Sequence, residues 1–93
     1  MVIGLVEARL RIMDARSLKD KRRVVRSLKD RVLHRMNVSV AEVGDQDLWQ
    51  TAALAFVTVA AEQTLVQERL AAISAMLQSD PRYTLLALRT ALL

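Results

Sequence analysis

Four cations recur at helical spacing near the amino end: Lys19, Arg22, Arg23 and Arg26 stand at i, i+3, i+4 and i+7, and Lys29 extends one edge of the stripe. On a helix these side chains project together, because each residue turns the wheel by about 100°. Grouped ammonium and guanidinium ions suit the backbone of an RNA, where each phosphate neutralised releases counterions. The alternative is a solvated helix with internal pairs, Asp30 four residues after Arg26 and Asp20 near Arg23 and Lys19. Such exposed pairs contribute only a few tenths of a kcal/mol. Pairing cannot neutralise the segment, since eight Lys/Arg face two Asp between Lys19 and Arg35. The bias is wider than the stripe: residues 1–35 hold 11 of the 14 Lys/Arg and 4 of the 10 Asp/Glu, so that segment is +7 and the remainder −3. A basic excess concentrated in this way marks a surface that meets phosphates or an acidic partner.

Other residue types offer less. His34 is the only histidine and has no nucleophile or carboxylate partner in sequence; near a helix carboxyl end its charged form would favour the dipole, and no catalytic role is expected of it. Glu42, Asp45 and Asp47 could gather an oxygen-loving cation, but they fit no EF-hand spacing and read as solvated turn acids. With no Cys, disulfides, thiolate nucleophiles and Cys-based metal sites are excluded. Gly4 and Gly44 are the only glycines, too few for a P-loop, a dinucleotide fingerprint or a Gly-x-Ser-x-Gly elbow. No cofactor and no enzymatic activity are expected. Asn37-Val38-Ser39 matches a glycosylation acceptor, inert in the cytoplasm. Trp49, beside Asp45, Asp47 and Gln50, is either a partner anchor or, more often for such a ring, a plug over the end of a small core.

The elements that position these residues follow from periodicity. From Val2 to Ile12 the apolar residues Val2, Val6, Ala8, Leu10 and Ile12 fall on even positions and Glu7, Arg9 and Arg11 on odd ones, the period of a strand with one covered face. After a turn at Asp14-Ala15-Arg16, Ser17 caps a helix, with Asp20 completing a capping box. That helix runs from Leu18 to about Met36, and Leu18, Val25, Leu28, Val32 and Met36 gather in the arc that faces a sheet. Asn37 breaks it, and residues 38–43 form a short strand closed by Gly44-Asp45. A loop leads to a third strand over Thr51 to Ala60, whose Leu54, Phe56, Val57 and Val59 leave no clean polar face; it is central or covered on both sides. Thr64 and Gln67 form a second capping box ahead of Val66, Leu70, Ile73 and Leu77, and this helix ends near Gln78. Asp80-Pro81 stops it, and from Tyr83 to Leu93 a fourth strand alternates Leu86, Leu88 and Leu92 with Ala87, Arg89 and Ala91.

The resulting β-α-β-β-α-β order is the ferredoxin-like α+β arrangement: a four-stranded antiparallel sheet with both helices on one face. At 93 residues it is a single domain, 1–93, and 53% hydrophobic against 26% charged residues is enough apolar surface for it to fold. Acylphosphatases share this fold, but their Gly-rich arginine loop is missing. Arg9 and Arg11, with Arg89, lie on the sheet face away from the helices and could extend the basic surface. The chain has one Trp, one Tyr and one Phe, none on the first strand, so recognition there by base stacking is not expected. The competing use of that face is pairing with a second copy; Trp49 and Arg89 are the candidates for partner contact.

Ser17-Leu18-Lys19-Asp20-Lys21-Arg22-Arg23-Val24-Val25-Arg26-Ser27-Leu28 resembles the first-helix signature of the DUF503 (YlxP-like) family, and Asn37-Val38-Ser39-Val40-Ala41-Glu42-Val43 followed by Asp47-Leu48-Trp49-Gln50 resembles its second block. The likeness covers almost the whole chain, with a few carboxy-terminal residues expected to be missing. Members of that family are described mainly as uncharacterised and sit in gene neighbourhoods with transcription-termination and translation-initiation factors; the resemblance implies the same setting and supplies no reaction. Residues 1–10 lack the features of a signal peptide and no window approaches a membrane span, which leaves a cytoplasmic address with no membrane contact. The leading expectation is a non-enzymatic accessory factor that binds RNA or the ribosome. A homodimerisation module working through the open sheet face, and a small-molecule regulatory domain with a ligand at a dimer seam, are the alternatives.

Overall fold

Alternation of apolar and charged side chains builds the first strand. In the computed structural model, which describes residues 1–93, β1 (Val2–Arg11) buries Val6, Ala8 and Leu10 on one face and leaves Arg9 and Arg11 exposed on the other. Ser17 then caps α1 (Leu18–Arg35): its hydroxyl accepts from the Asp20 N–H at 3.1 Å, and the Asp20 carboxylate reaches back to the Arg16 N–H at 3.0 Å. The capping box forms, with its return bond made one residue before the cap. β2 (Ser39–Gly44), β3 (Thr51–Ala60), α2 (Gln63–Gln78) and β4 (Thr84–Leu92) complete the β-α-β-β-α-β order. The strands form one antiparallel sheet in the order β2-β3-β1-β4. This is the ferredoxin-like α+β fold.

Both helices cover one face, α1 over β2 and β3 and α2 over β1, β3 and β4. Val25, Leu28 and Val32 of α1 and Val66, Leu70, Ile73 and Leu77 of α2 close on Leu54 and Phe56 of β3 and Val6 and Leu10 of β1. Leu18 and Met36 lie at the ends of the α1 arc and are only half-buried. Gly4 lets α2 approach the sheet: a Cβ there would meet Val66 Cγ1 at 2.5 Å and Leu70 Cδ2 at 3.0 Å.

Two local expectations are corrected. Thr64 and Gln67 do not cap α2, because the helix starts at Gln63 and places Thr64 inside the first turn; Glu62 is the cap residue and makes no side-chain capping bond. On β4 the alternation slips at a β-bulge: Leu10 pairs with Leu85 and Arg9 with Ala87, so Leu86 is the extra residue, 46% exposed, and Leu85 takes its place against the core. Leu88 keeps the expected face, and Leu92 lies exposed at the rim. The inner position expected for β3 holds. Only its helix side is covered, since Val57 and Val59 on the other side are 38% and 46% exposed.

Candidate nucleic-acid interface

The stripe on α1 faces outward because its opposite arc, Lys21, Val25, Leu28 and Val32, is buried against the sheet. Lys19, Arg22, Arg23 and Arg26 are exposed, and with Ser27, Asp30 and Arg31 they line an open depression of about 810 Å³ that contains no apolar residue. Lys29 flanks it, half-buried. The internal pairs of a self-neutralised helix do not form. The ion pairs of the protein are Arg9–Asp45, Lys21–Glu42, Arg31–Asp80, Arg82–Asp80 and Arg89–Glu7, and none includes Lys19, Arg22, Arg23, Arg26 or Lys29. Asp20, the nearest acid in sequence, is turned to its capping bond instead. The result is a run of cations that forms no ion pair, about 15 Å long at the helical rise of roughly 1.5 Å per residue, with Asp30 the one carboxylate lining the same depression.

The far end of the stripe is fixed by a buried carboxylate. Asp80 accepts from Arg31 Nη1 at 3.1 Å, from the Arg82 N–H at 2.9 Å and from Arg82 Nη2 at 2.6 Å. The Arg82 hydrogen bond holds its carboxyl below the usual range, against the opposing effect of burial. Next to it the Tyr83 hydroxyl donates to Leu77 O at 2.6 Å, and burial, reinforced by the Asp80 charge, pushes its pKa up to about 12. Arg31 is therefore held by Asp80, while the five stripe cations ahead of it form no ion pair.

Lys21 is the residue that sequence reasoning missed. Its side chain is 0% exposed, and Nζ donates to Glu42 Oε2 at 2.9 Å, Asp45 O at 2.7 Å, Thr51 O at 3.2 Å and Gln46 O at 3.3 Å. One ammonium thus pins the β2–β3 loop to the first turn of α1. The turn it holds contains Asp45 in the left-handed region, φ 59°, a conformation that Asp tolerates. A signal was present in the sequence: Lys21 falls in the apolar arc of the helix, and Glu42 falls on the core-facing phase of its strand, opposite Leu54. Two opposite charges, each on the wrong face of its own element, mark a buried pair.

The remaining candidates do not join the stripe. Arg9, Arg11 and Arg89 lie on the sheet face opposite the helices, not on the face of α1 that carries Lys19–Lys29. Arg9 is bound to Asp45 at 3.0 Å and Arg89 to Glu7, which leaves Arg11 without an anion. Trp49 is 54% exposed and does not plug the core; the clamped loop holds it at the surface with Leu48. Glu42 and Asp45, two of the acids considered for a cation, take Lys21 and Arg9 instead. His34 is exposed in the last turn of α1, beside an open depression lined by Asp30, Arg31, Arg35 and Met76. No helix is long and apolar enough to cross a membrane.

Comparison with known proteins agrees with the resemblance carried by the two sequence blocks. The chain is 35% identical over 80 residues to the uncharacterized protein YlxP of Bacillus subtilis (strain 168), an alignment that covers 86% of this chain and 87% of that protein. The model of the family described as "Protein of unknown function (DUF503)" matches residues 3–90. With nearly its whole length matched, the chain belongs to the DUF503 family.

Proposed function

We propose that this protein is a non-enzymatic cytoplasmic accessory factor that binds structured RNA or the ribosome through phosphate contacts from α1. The observation that carries the reading is the outward stripe of Lys19, Arg22, Arg23, Arg26 and Lys29, none of which meets a carboxylate of its own chain. A solvated helix gains a little from internal pairs; this one leaves its cations unpaired on an open, wholly polar surface. Aromatic side chains are absent from the stripe, so binding follows backbone and shape rather than base sequence. The setting implied by the family resemblance, among transcription and translation factors, points the same way.

The test is affinity for ribosomal subunits and structured RNA across a salt series, beside a variant carrying Arg22→Glu, Arg23→Glu and Arg26→Glu. Four or five phosphate contacts give a log–log salt slope of roughly −3 to −4.5, and the variant abolishes binding while keeping its circular dichroism spectrum. Equal inertness of wild type and folded variant at low salt would sink the reading.

A further inference from the structure

An antiparallel sheet with helices on one side commonly shows polar side chains on the other. Here the outward positions of the two central strands are Ile3 and Leu5 on β1 and Ala53, Ala55, Val57 and Val59 on β3, with Ile3 opposite Val59 and Leu5 opposite Val57. Ala91 stands beside Leu5 on β4, and the Leu93 N–H donates to Ile3 O at 2.8 Å, which carries the apolar half to the carboxyl end. The other half of the face holds charges that already satisfy each other, Glu7 with Arg89 and Arg9 with Asp45.

We infer that a second copy of this chain covers the face, related by a two-fold axis that runs along the strands between β1 and β3. These two strands occupy the middle of the order β2-β3-β1-β4. Rotation about that axis therefore lays β1 of each copy over β3 of the other and sets apolar half on apolar half, with Ile3 and Leu5 against Val57 and Val59. The shared patch is then isologous, as the commonest oligomers require. Alanines at 53, 55 and 91 leave room for the sheets to close to about 10 Å. The size fits. Strands about 4.8 Å apart and about 3.3 Å per residue give the four-stranded face, whose central strands are 10 residues long, a footprint on the order of 600 Å². Because the axis runs along the strands, the charged halves face each other as well, and two copies in contact over the whole face bury about 1,200 Å², the lower bound for a specific interface. The face also lacks the uncompensated charge that would mark it for an oppositely charged partner; Arg11 is its one unpaired cation. In this dimer the α1 stripes point outward on opposite sides, and the inference does not rest on their binding RNA.

The experiment is sedimentation equilibrium of the full chain over a concentration series in low and high salt, with Leu5→Lys and Val57→Lys as separate variants. Neither residue belongs to the buried core, so the fold is retained, checked by circular dichroism. Wild type is expected at the dimer mass in both salts and each variant at the monomer mass. The Arg22→Glu, Arg23→Glu, Arg26→Glu variant stays dimeric, which separates this interface from the RNA reading. Since the chain has no cysteine, and sheets about 10 Å apart exceed the Cα–Cα reach of a disulfide, about 7 Å, mixing Leu5→Cys with Val57→Cys protein and a short bis-maleimide linker tests the geometry, and mixed cross-linked dimers should exceed either homodimer. A wild type that is monomeric throughout, a dimer indifferent to both lysines, or an absence of mixed cross-links would overturn the inference.

Discussion

Replacing Lys21 by methionine keeps an unbranched side chain, one heavy atom shorter, and removes its charge and donors. Four oxygens within 3.3 Å of Nζ lose a partner: Glu42 Oε2 and the carbonyls of Asp45, Gln46 and Thr51. The Glu42 side chain is only 19% exposed, so water restores its solvation poorly. Breaking one half of a buried ion pair costs about 3–5 kcal/mol, because the other charge stays behind unpaired. A chain of 93 residues has a total stability of about 5–14 kcal/mol at roughly 0.05–0.15 kcal/mol per residue. The change therefore removes from about a fifth of the stability to all of it. At about 4–8 °C per kcal/mol for a domain of this size, Tm falls by about 12–40 °C. Urea unfolding followed by circular dichroism and by fluorescence is the assay, and the single tryptophan, Trp49, sits in the loop that Lys21 pins. Loop release should appear in the fluorescence before the ellipticity changes. Lys21→Met/Glu42→Leu removes the stranded carboxylate as well and should recover at least about 1 kcal/mol of the loss, by the same asymmetry. A single variant within about 1 kcal/mol of wild type, the worth of one ordinary hydrogen bond, or a double variant no better than the single, would refute the clamp.

Gly4→Val drives a branched side chain into Val66 and Leu70 and should cost about 1–3 kcal/mol by overpacking, read as a lower urea midpoint; adding Val66→Ala should return part of it. For Tyr83 the raised folded pKa of about 12, against about 10 in an unfolded chain, sets the sign: between those pH values the unfolded state has lost a proton that the folded state keeps, so stability falls as pH rises. Tyr83→Phe should flatten that alkaline fall in a pH series of urea midpoints and lower stability by about 1 kcal/mol at neutral pH through the Leu77 carbonyl it leaves unpaired.

Period-two alternation on the first strand and the 3.6 period of both helices were legible because each element hides one face, and hiding a face writes itself into local spacing. The central place of β3 was legible for the same reason, as its apolar residues occupy both phases. The β4 bulge was not, because an inserted residue such as Leu86 changes the pairing with Arg9 and Leu10 and leaves the composition of the strand unaltered. The second capping box failed because Thr64-x-x-Gln67 is only a spacing, and the turn after Ala60 decides where the helix begins.

For the candidate interface, the sequence by itself determined which cations share a face of the first helix, since helical geometry alone sets that. Whether those cations are neutralised, and what else they can reach, was decided by tertiary structure. Asp20 turns away to cap its helix, Arg31 is drawn to Asp80 from 49 residues away, and Arg9 and Arg89 find anions on the opposite side of the sheet. Lys21 shows the division most plainly: in sequence it is one more charge in a basic run, and only packing of α1 against the β2–β3 loop removes it from water and makes it a structural clamp. Charge is a property of the residue, but solvation and partnership belong to the fold, because they depend on groups that the chain brings together from far apart.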